Sequence, residues 1–337
     1  MKKYNTAIVG ATGLVGGEML KVLLQRDFPV NNLRLFATSR SAGRKIPVRD
    51  KKIVVEDIEK SDFAGVELAL FAGGDIASEK YAYKFVEAGA IVVDNSKTFR
   101  MDPDVPLVVP EVNPEDIKLH KGIIANPNCS TIQMVVALKP VYDEAGIERV
   151  VVATYQAVSG TGKAAVREVN KQTREVLDGK DTNAEVYPHQ IGFNLLPHIG
   201  SFTENGYSTE ELKMVYETRK IMGDDSLRIT ATTVRVPVLI GHAESVNIET
   251  KKKITADRVR EILKDAPGVT VCDDPFNNIY PYPAMSAHKD AVYVGRIRED
   301  ISTDRGIEMF VVSDNLRKGA ALNAVQILEE VIRMGII

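Results

Sequence analysis

The glycines of Gly10-Ala11-Thr12-Gly13-Leu14-Val15-Gly16 stand directly after the apolar run Ala7–Val9 and directly before a periodic stretch, Gly17–Leu24. Strand, glycine turn and helix in that order open a βαβ unit. The glycines allow a tight turn and let a pyrophosphate approach the backbone, while the helix N-terminus offers N–H donors and the positive end of a dipole. Gly10, Thr12, Gly13, Leu14, Val15 and Gly16 are therefore candidate dinucleotide contacts. The spacing is GxxGxxG, so the same residues would also serve a tight turn with no ligand.

The run of elements that follows fits this opening. Apolar stretches at Leu33–Ala37, Leu68–Ala72, Ile91–Val93 and Leu107–Val109 alternate with helical ones such as Ser78–Ala88. Strands that are apolar on both faces and separated by helices predict a doubly wound parallel sheet. The pattern changes after Asn126-Pro127-Asn128-Cys129. Long strands at Arg149–Val158, Arg228–Val238, Glu244–Thr250, Ala291–Arg298 and Ile307–Ser313 have few helices between them, which predicts a mixed sheet in an α+β domain. The spacing of Ala320, Ala321, Ala324, Val325, Leu328 and Val331 marks one buried face of a last helix, about 316–337, which could pack on either domain. The expected fold is α/β: a Rossmann-type domain, residues 1–128 plus that helix, and a catalytic and dimerisation domain, residues 129–315.

With 337 residues, two domains of ordinary size are expected. Lys and Arg (43) nearly balance Asp and Glu (46), giving a net charge of −3 and no basic field for nucleic acid. No apolar run reaches membrane-spanning length. The apolar start breaks at glycines after four residues, unlike a signal peptide. Two cysteines, Cys129 and Cys272, support neither a disulfide framework nor a Cys-rich metal site. A reducing, cytoplasmic setting is the expectation.

Several side chains could carry chemistry. The second strand ends in Phe36-Ala37-Thr38-Ser39-Arg40-Ser41-Ala42-Gly43-Arg44, with two arginines where an NAD site usually has a carboxylate for the ribose 2′-hydroxyl. Arginine pairs with phosphate through a planar fork, so the loop reads as a 2′-phosphate site and favours NADP; a solvated basic loop is the plainer alternative. Cys129 follows Pro127 and precedes an apolar helical run, near a helix N-terminus that favours a thiolate. Cys272 reads as an inert thiol. Any of His120, His189, His198, His242 and His288 could transfer its proton, and His242 precedes a strand. Arg235 could clamp a carboxylate bidentately or make an ion pair on its strand.

Together these residues resemble the bacterial aspartate-β-semialdehyde dehydrogenases over essentially the whole chain. The resemblance rests on the glycine turn, Val92-Val93-Asp94-Asn95-Ser96 with Phe99-Arg100, Val108–Asn113 and Pro127–Gln133. It continues through Thr154–Gly160, Glu217-Thr218-Arg219-Lys220, Arg235–Val238, Gly241-His242 and Val312–Asn315. It implies NADPH-dependent reductive dephosphorylation of L-aspartyl-4-phosphate to L-aspartate-4-semialdehyde. The step belongs to the aspartate-family pathway towards lysine through diaminopimelate, threonine and methionine. It further implies a homodimer and no metal. Cys129 matches the nucleophile that forms an acyl-thioester, His242 the acid/base and Gln156 a residue positioning the acyl group. Arg235 and Glu217 match residues holding the substrate's carboxylate and amino group. Arg100, Asn128 and Lys220 match the phosphate pocket. Residues 12–15, Arg40, Ser41, Ser159, Gly160 and Asn315 fall where the family contacts NADP.

Splitting the reduction into thiolate attack and thioester reduction makes chemical sense, because an acyl phosphate is already activated. N-acetyl-γ-glutamyl-phosphate reductase uses the same logic on a blocked amine, and Glu217 argues against it, since only a free ammonium wants a carboxylate partner. A non-catalytic NADP-binding paralogue would be expected to lose Cys129 or His242. The sequence blocks fit a glyceraldehyde-phosphate-type dehydrogenase poorly. Two departures stand out: the stretch Asp178–Phe193 is short, and Asn126 stands where a small residue or cysteine is expected.

Overall fold

The structure, a computed structural model describing residues 2–337, begins with β1 (Tyr4–Val9), which enters the glycine turn and α1 (Leu14–Gln25). There follow β2 (Val30–Ala37), β3 (Lys45–Val48), β4 (Lys51–Asp57), β5 (Leu68–Phe71), α2 (Asp75–Glu87), β6 (Ile91–Asp94) and β7 (Ile123–Ala125). The sheet has the order β3-β4-β2-β1-β5-β6-β7 and is parallel except at the β3–β4 hairpin. Order reverses at β1, where β2 lies on one side and β5 on the other. Such a switch point opens a crevice at the carboxyl ends of the strands, which is where doubly wound sheets bind ligands.

One expectation for this sheet fails locally. Leu107–Val109 is not a strand, since Leu107 makes only one bridge, to Ala125. Pro106 and Pro110 flank the run and cannot donate to a ladder. The last strand is β7 instead, and the β3–β4 hairpin, half-exposed and carrying lysines, is not apolar on both faces as the expected strands are.

The second half is built from α3 (Cys129–Ala145), β8 (Ile147–Ala157), α4 (Lys163–Leu177), α5 (Thr209–Met222), β9 (Arg228–Val236), β10 (His242–Thr250), α6 (Ala256–Lys264), β11 (Val269–Val271), the single turn α7 (Pro283–Ser286), β12 (Val292–Glu299) and β13 (Gly306–Ser313). Its six strands run in the order β11-β12-β13-β10-β8-β9, with both parallel and antiparallel pairs. Side chains alternate across it. Val150, Val152, Thr154 and Gln156 are buried on the inner face, where α3 packs. Val151, Ala153, Tyr155, Val234, Ser245 and Phe310 occupy the outer face, half-buried or exposed. α5 starts with a capping box, in which Ser208 Oγ accepts from Glu211 N–H and Glu211 Oε2 accepts from Ser208 N–H. It stops at Gly223 in the left-handed region.

A π-helical turn (Arg317–Ala321) precedes α8 (Leu322–Arg333). The chain thus divides into two units: residues 2–127 with Ala320–Ile337 form the first, and Asn128–Gly319 the second. α8 joins the core under the parallel sheet, where Leu322, Val325 and Leu328 pack with Ile8, Leu35, Leu70 and Val93. Asn126 has its explanation there: buried, it donates to Asn95 Oδ1 at 2.7 Å and accepts from Asn323 Nδ2 of α8 at 2.7 Å. A cysteine could not make both bonds. Among the described residues, no helix is long and apolar enough to cross a membrane.

Candidate active site

In the second unit, the chemistry-bearing side chains gather at the N-terminus of α3. Asn128 is its N-cap and Cys129 its first residue. Asn128 Oδ1 accepts from the N–H groups of Ser130 (3.0 Å) and Thr131 (3.3 Å), while its own N–H donates to Glu217 Oε2 at 2.6 Å. The helix dipole favours negative charge at Cys129. Gly319 passes close by: a Cβ there would lie 2.9 Å from Cys129 Cβ. A glycine is needed to leave Cys129 its room.

Gln156 and Arg235 are partners in the β8–β9 register. Gln156 Nε2 donates to Thr154 Oγ1 and to Glu210 Oε1, each at 3.3 Å. Arg235 is buried, its Nη1 donates to Ala157 O at 2.7 Å, and its Nε has no protein partner. A buried guanidinium with an unspent N–H is suited to a carboxylate ligand. The ion pair considered from sequence is absent among the described residues.

His242 opens β10, fully buried, and accepts the Ala157 N–H at Nδ1, 3.0 Å away. The neutral ring therefore carries its proton on Nε2, which has no protein partner. Burial, followed by the positive charge of Arg235, pushes its pKa down to about 3, against the opposing pull of Glu210. At neutral pH the imidazole is uncharged and presents an N–H donor. A Cβ at Gly160 would lie 3.1 Å from Arg235 Nη1 and 3.4 Å from His242 Nε2, so that glycine keeps the space open in front of both. Asn315 ties the neighbouring turn together, donating to Ser159 Oγ at 2.9 Å and accepting from Gly241 N–H at 2.9 Å.

The first unit holds the other candidates. Gly10 has φ +83°, and a Cβ on it would lie 2.6 Å from the Ala72 backbone; one on Gly16 would lie 2.3 Å from Gly10 O. Beside this turn is a cavity of about 410 Å³ whose wall includes Thr12, Gly13, Thr38, Arg40 and Ser41. Leu14 and Val15 form the first turn of α1, whose N-cap, Gly13, supplies no side-chain bond and leaves N–H groups for a ligand. A dinucleotide phosphate fits such a cradle. Arg40 lines it, whereas Arg44 is exposed outside it. The one carboxylate on the wall, Glu59, is engaged by Lys80 at 2.8 Å. Arg100 is buried with Nη2 donating to Asn95 O at 3.0 Å. Lys220, half-buried, stands three residues beyond Glu217 on α5.

The chain matches two family descriptions, the semialdehyde dehydrogenase NAD binding domain over residues 5–120 and the semialdehyde dehydrogenase dimerisation domain over residues 138–318. It is 55% identical to the aspartate-semialdehyde dehydrogenase of Aquifex aeolicus, over 99% of each chain. The chain belongs to the aspartate-semialdehyde dehydrogenase family. It is thus an oxidoreductase of amino-acid biosynthesis, built on the Rossmann-type and mixed-sheet architecture already described. Among solved structures, aspartate semialdehyde dehydrogenase II from Vibrio cholerae complexed with ASA superposes with TM-score 0.97 at 48% identity, covering 99% of both chains. The Candida albicans enzyme with NADP superposes with TM-score 0.79 at 28% identity over the full length of both.

Sequence reasoning missed two members of the site. Glu210 reaches both Asn128 and Gln156. Its signal was available, for it lies seven residues before Glu217 and so on the same face of α5. Gly319 had no such signal, because only the close approach to Cys129 gives it meaning.

Proposed function

We propose that this protein catalyses the reversible, NADPH-dependent conversion of L-aspartyl-4-phosphate to L-aspartate-4-semialdehyde and phosphate, with Cys129 as nucleophile. The observation that carries the reading is the grouping around one helix N-terminus of a thiol, a neutral imidazole donor, a buried arginine with an unspent N–H and a buried glutamate.

The Cys129 thiolate attacks the acyl carbon; the carbon–oxygen bond to phosphate breaks and phosphate leaves with the electron pair. Arg100, Asn128 and Lys220 keep the phosphate-binding role that the resemblance implies. Bound, the dihydronicotinamide supplies the hydride that reduces the thioester. His242 Nε2–H supports the negative charge that develops on the carbonyl oxygen, and its fixed tautomer needs no rearrangement to do so. Expulsion of the thiolate then releases the aldehyde. Arg235 holds the substrate's α-carboxylate, and Glu217 its ammonium, while Gln156 positions the acyl group between them. Gly10 to Gly16, with Arg40 and Ser41, hold NADP in the first unit, and Ser159, Gly160 and Asn315 form the contacts assigned to the second. A nucleophile that must stay reduced suits a cytoplasmic setting.

Glu217 favours a free ammonium over the acetylated nitrogen of the glutamyl analogue. Spectrophotometric assays with semialdehyde, phosphate and NADP, run beside N-acetylglutamate semialdehyde, test this. Reduction of NADP only with the unblocked substrate is expected, and preference for the acetylated one overturns the reading.

Two further outcomes are expected. Arg40→Ala weakens NADP by about 1.5–3 kcal/mol, the range for a charged hydrogen bond, and leaves NAD nearly untouched. Equal losses in cofactor titrations would place Arg40 away from the 2′-phosphate. The half-exposed outer face of the mixed sheet, with Tyr155 and Phe310 6.3 Å apart, is the surface for the homodimer. Phe310→Glu places a charge at its centre and shifts sedimentation towards monomer; an unchanged dimer would put the interface elsewhere.

A further inference from the structure

Glu210 is almost fully buried. Burying a carboxylate is costly unless its oxygens are bonded and its charge paired. Here both oxygens are committed. Oε1 accepts from Asn128 Nδ2 at 2.8 Å and from Gln156 Nε2 at 3.3 Å, and Oε2 meets Lys213 Nζ at 3.0 Å. Burial alone would raise its pKa, but Lys213, the bond from Asn128 and the charge of Arg235 hold it at about 2, so it is ionised throughout the working range.

The two amides are nearly symmetric groups whose ends differ only in donating or accepting. An anion beside both removes the ambiguity, because it can face only their NH2 ends. Asn128 is thereby left with Oδ1 towards the N–H groups of Ser130 and Thr131, which is the cap that starts the helix of Cys129. Gln156 is left with both of its N–H groups spent, on Glu210 and Thr154. Its Oε1 accepts nothing from the described residues and is the one end available to a ligand.

We propose that Glu210 is a positioning residue, an ionised acceptor that sets the direction of the Asn128 and Gln156 amides so that the nucleophile's helix stays capped and Gln156 offers its carbonyl oxygen to the substrate. The group that Gln156 meets is then a hydrogen-bond donor, the substrate's ammonium, which it shares with Glu217, and through that bond it positions the acyl group. This rests on the activity proposed above.

The test measures kcat, KM for the semialdehyde, NADP affinity and Tm in wild type, Glu210→Gln, Glu210→Asp, Gln156→Ala and the Glu210→Gln/Gln156→Ala double variant. Glutamine has the shape of Glu210 but brings an NH2 against two others. Aspartate keeps the charge beside Lys213 but withdraws it by a methylene. Both are expected to lower kcat about tenfold to a hundredfold, the cost of misplacing reacting groups by roughly an ångström, with NADP affinity within about twofold. The double variant should be no slower than the slower single one, since coupled groups are lost together. A Glu210→Gln enzyme within twofold of wild-type kcat, an aspartate variant with full kcat, or additive losses would each overturn the proposal. If glutamine prevents folding, the aspartate variant decides. Inactivity of the wild-type protein towards the semialdehyde would instead refute the activity itself.

Discussion

Replacing Cys129 by serine is expected to lower kcat by on the order of a thousandfold or more while leaving Tm and NADP affinity as they were. Serine fits the position: it is no larger than cysteine, so the close passage of Gly319 is not disturbed, and the Asn128 cap is made by groups the substitution does not touch. What changes is the nucleophile. A free thiol has a pKa of about 8.5 and yields some thiolate at neutral pH, more at a helix N-terminus, whereas an alcohol yields essentially none. His242 does not compensate. With Nδ1 accepting from Ala157 N–H and the proton on Nε2, the imidazole offers the hydroxyl no lone pair facing the site. Initial-rate assays and thermal melts on the purified variant check this. More than a tenth of the wild-type rate would remove Cys129 from the nucleophile's role.

Arg235→Lys is expected to lower kcat about a hundredfold at saturating substrate, besides raising KM, with NADP affinity unchanged. The guanidinium is anchored at one end, through Nη1 to Ala157 O, and its Nε is left for a ligand. Lysine keeps the charge but loses the fork that grips a carboxylate with two parallel bonds. The substrate then binds tilted, and misplacement by about 1 Å is enough for a loss of that order. A second effect has a definite sign. The positive charge of Arg235 helps to keep His242 neutral. A lysine ammonium held by Ala157 O would preserve that effect, so the acid limb of the pH profile should stay in place while its height falls. Normal kcat with a lowered Tm would make Arg235 a structural residue.

Much of the fold was legible because its signals are local. The glycine turn, the apolar strands of the parallel sheet and the start of the helix that carries Cys129 each involve neighbours in the chain. Where local signals conflicted, the reading erred: Leu107–Val109 looks like a strand until the flanking prolines are weighed. The last helix is grouped with the first domain from sequence, although its alanine-rich face alone fits many surfaces; the bonds of Asn323 to Val108 and Asn126 fix its packing.

The sequence by itself determined the doubly wound first half, the cofactor turn, the thiol at a helix start and the family blocks around it. It could not choose among five histidines by spacing. His198 stacks on Phe202, His120 accepts from Gly122 N–H, and only His242 turns a buried, unpartnered Nε2 to the space beside Arg235. The family blocks point to His242 among the five, while the tautomer of its ring and the place of Glu210 were decided by tertiary structure. The bonds concerned join residues 82 and 85 positions apart, from Asn128 to Glu210 and from Ala157 to His242. Periodicity and capping act over a few residues, so contacts closed by sheet register and helix packing leave no trace in them.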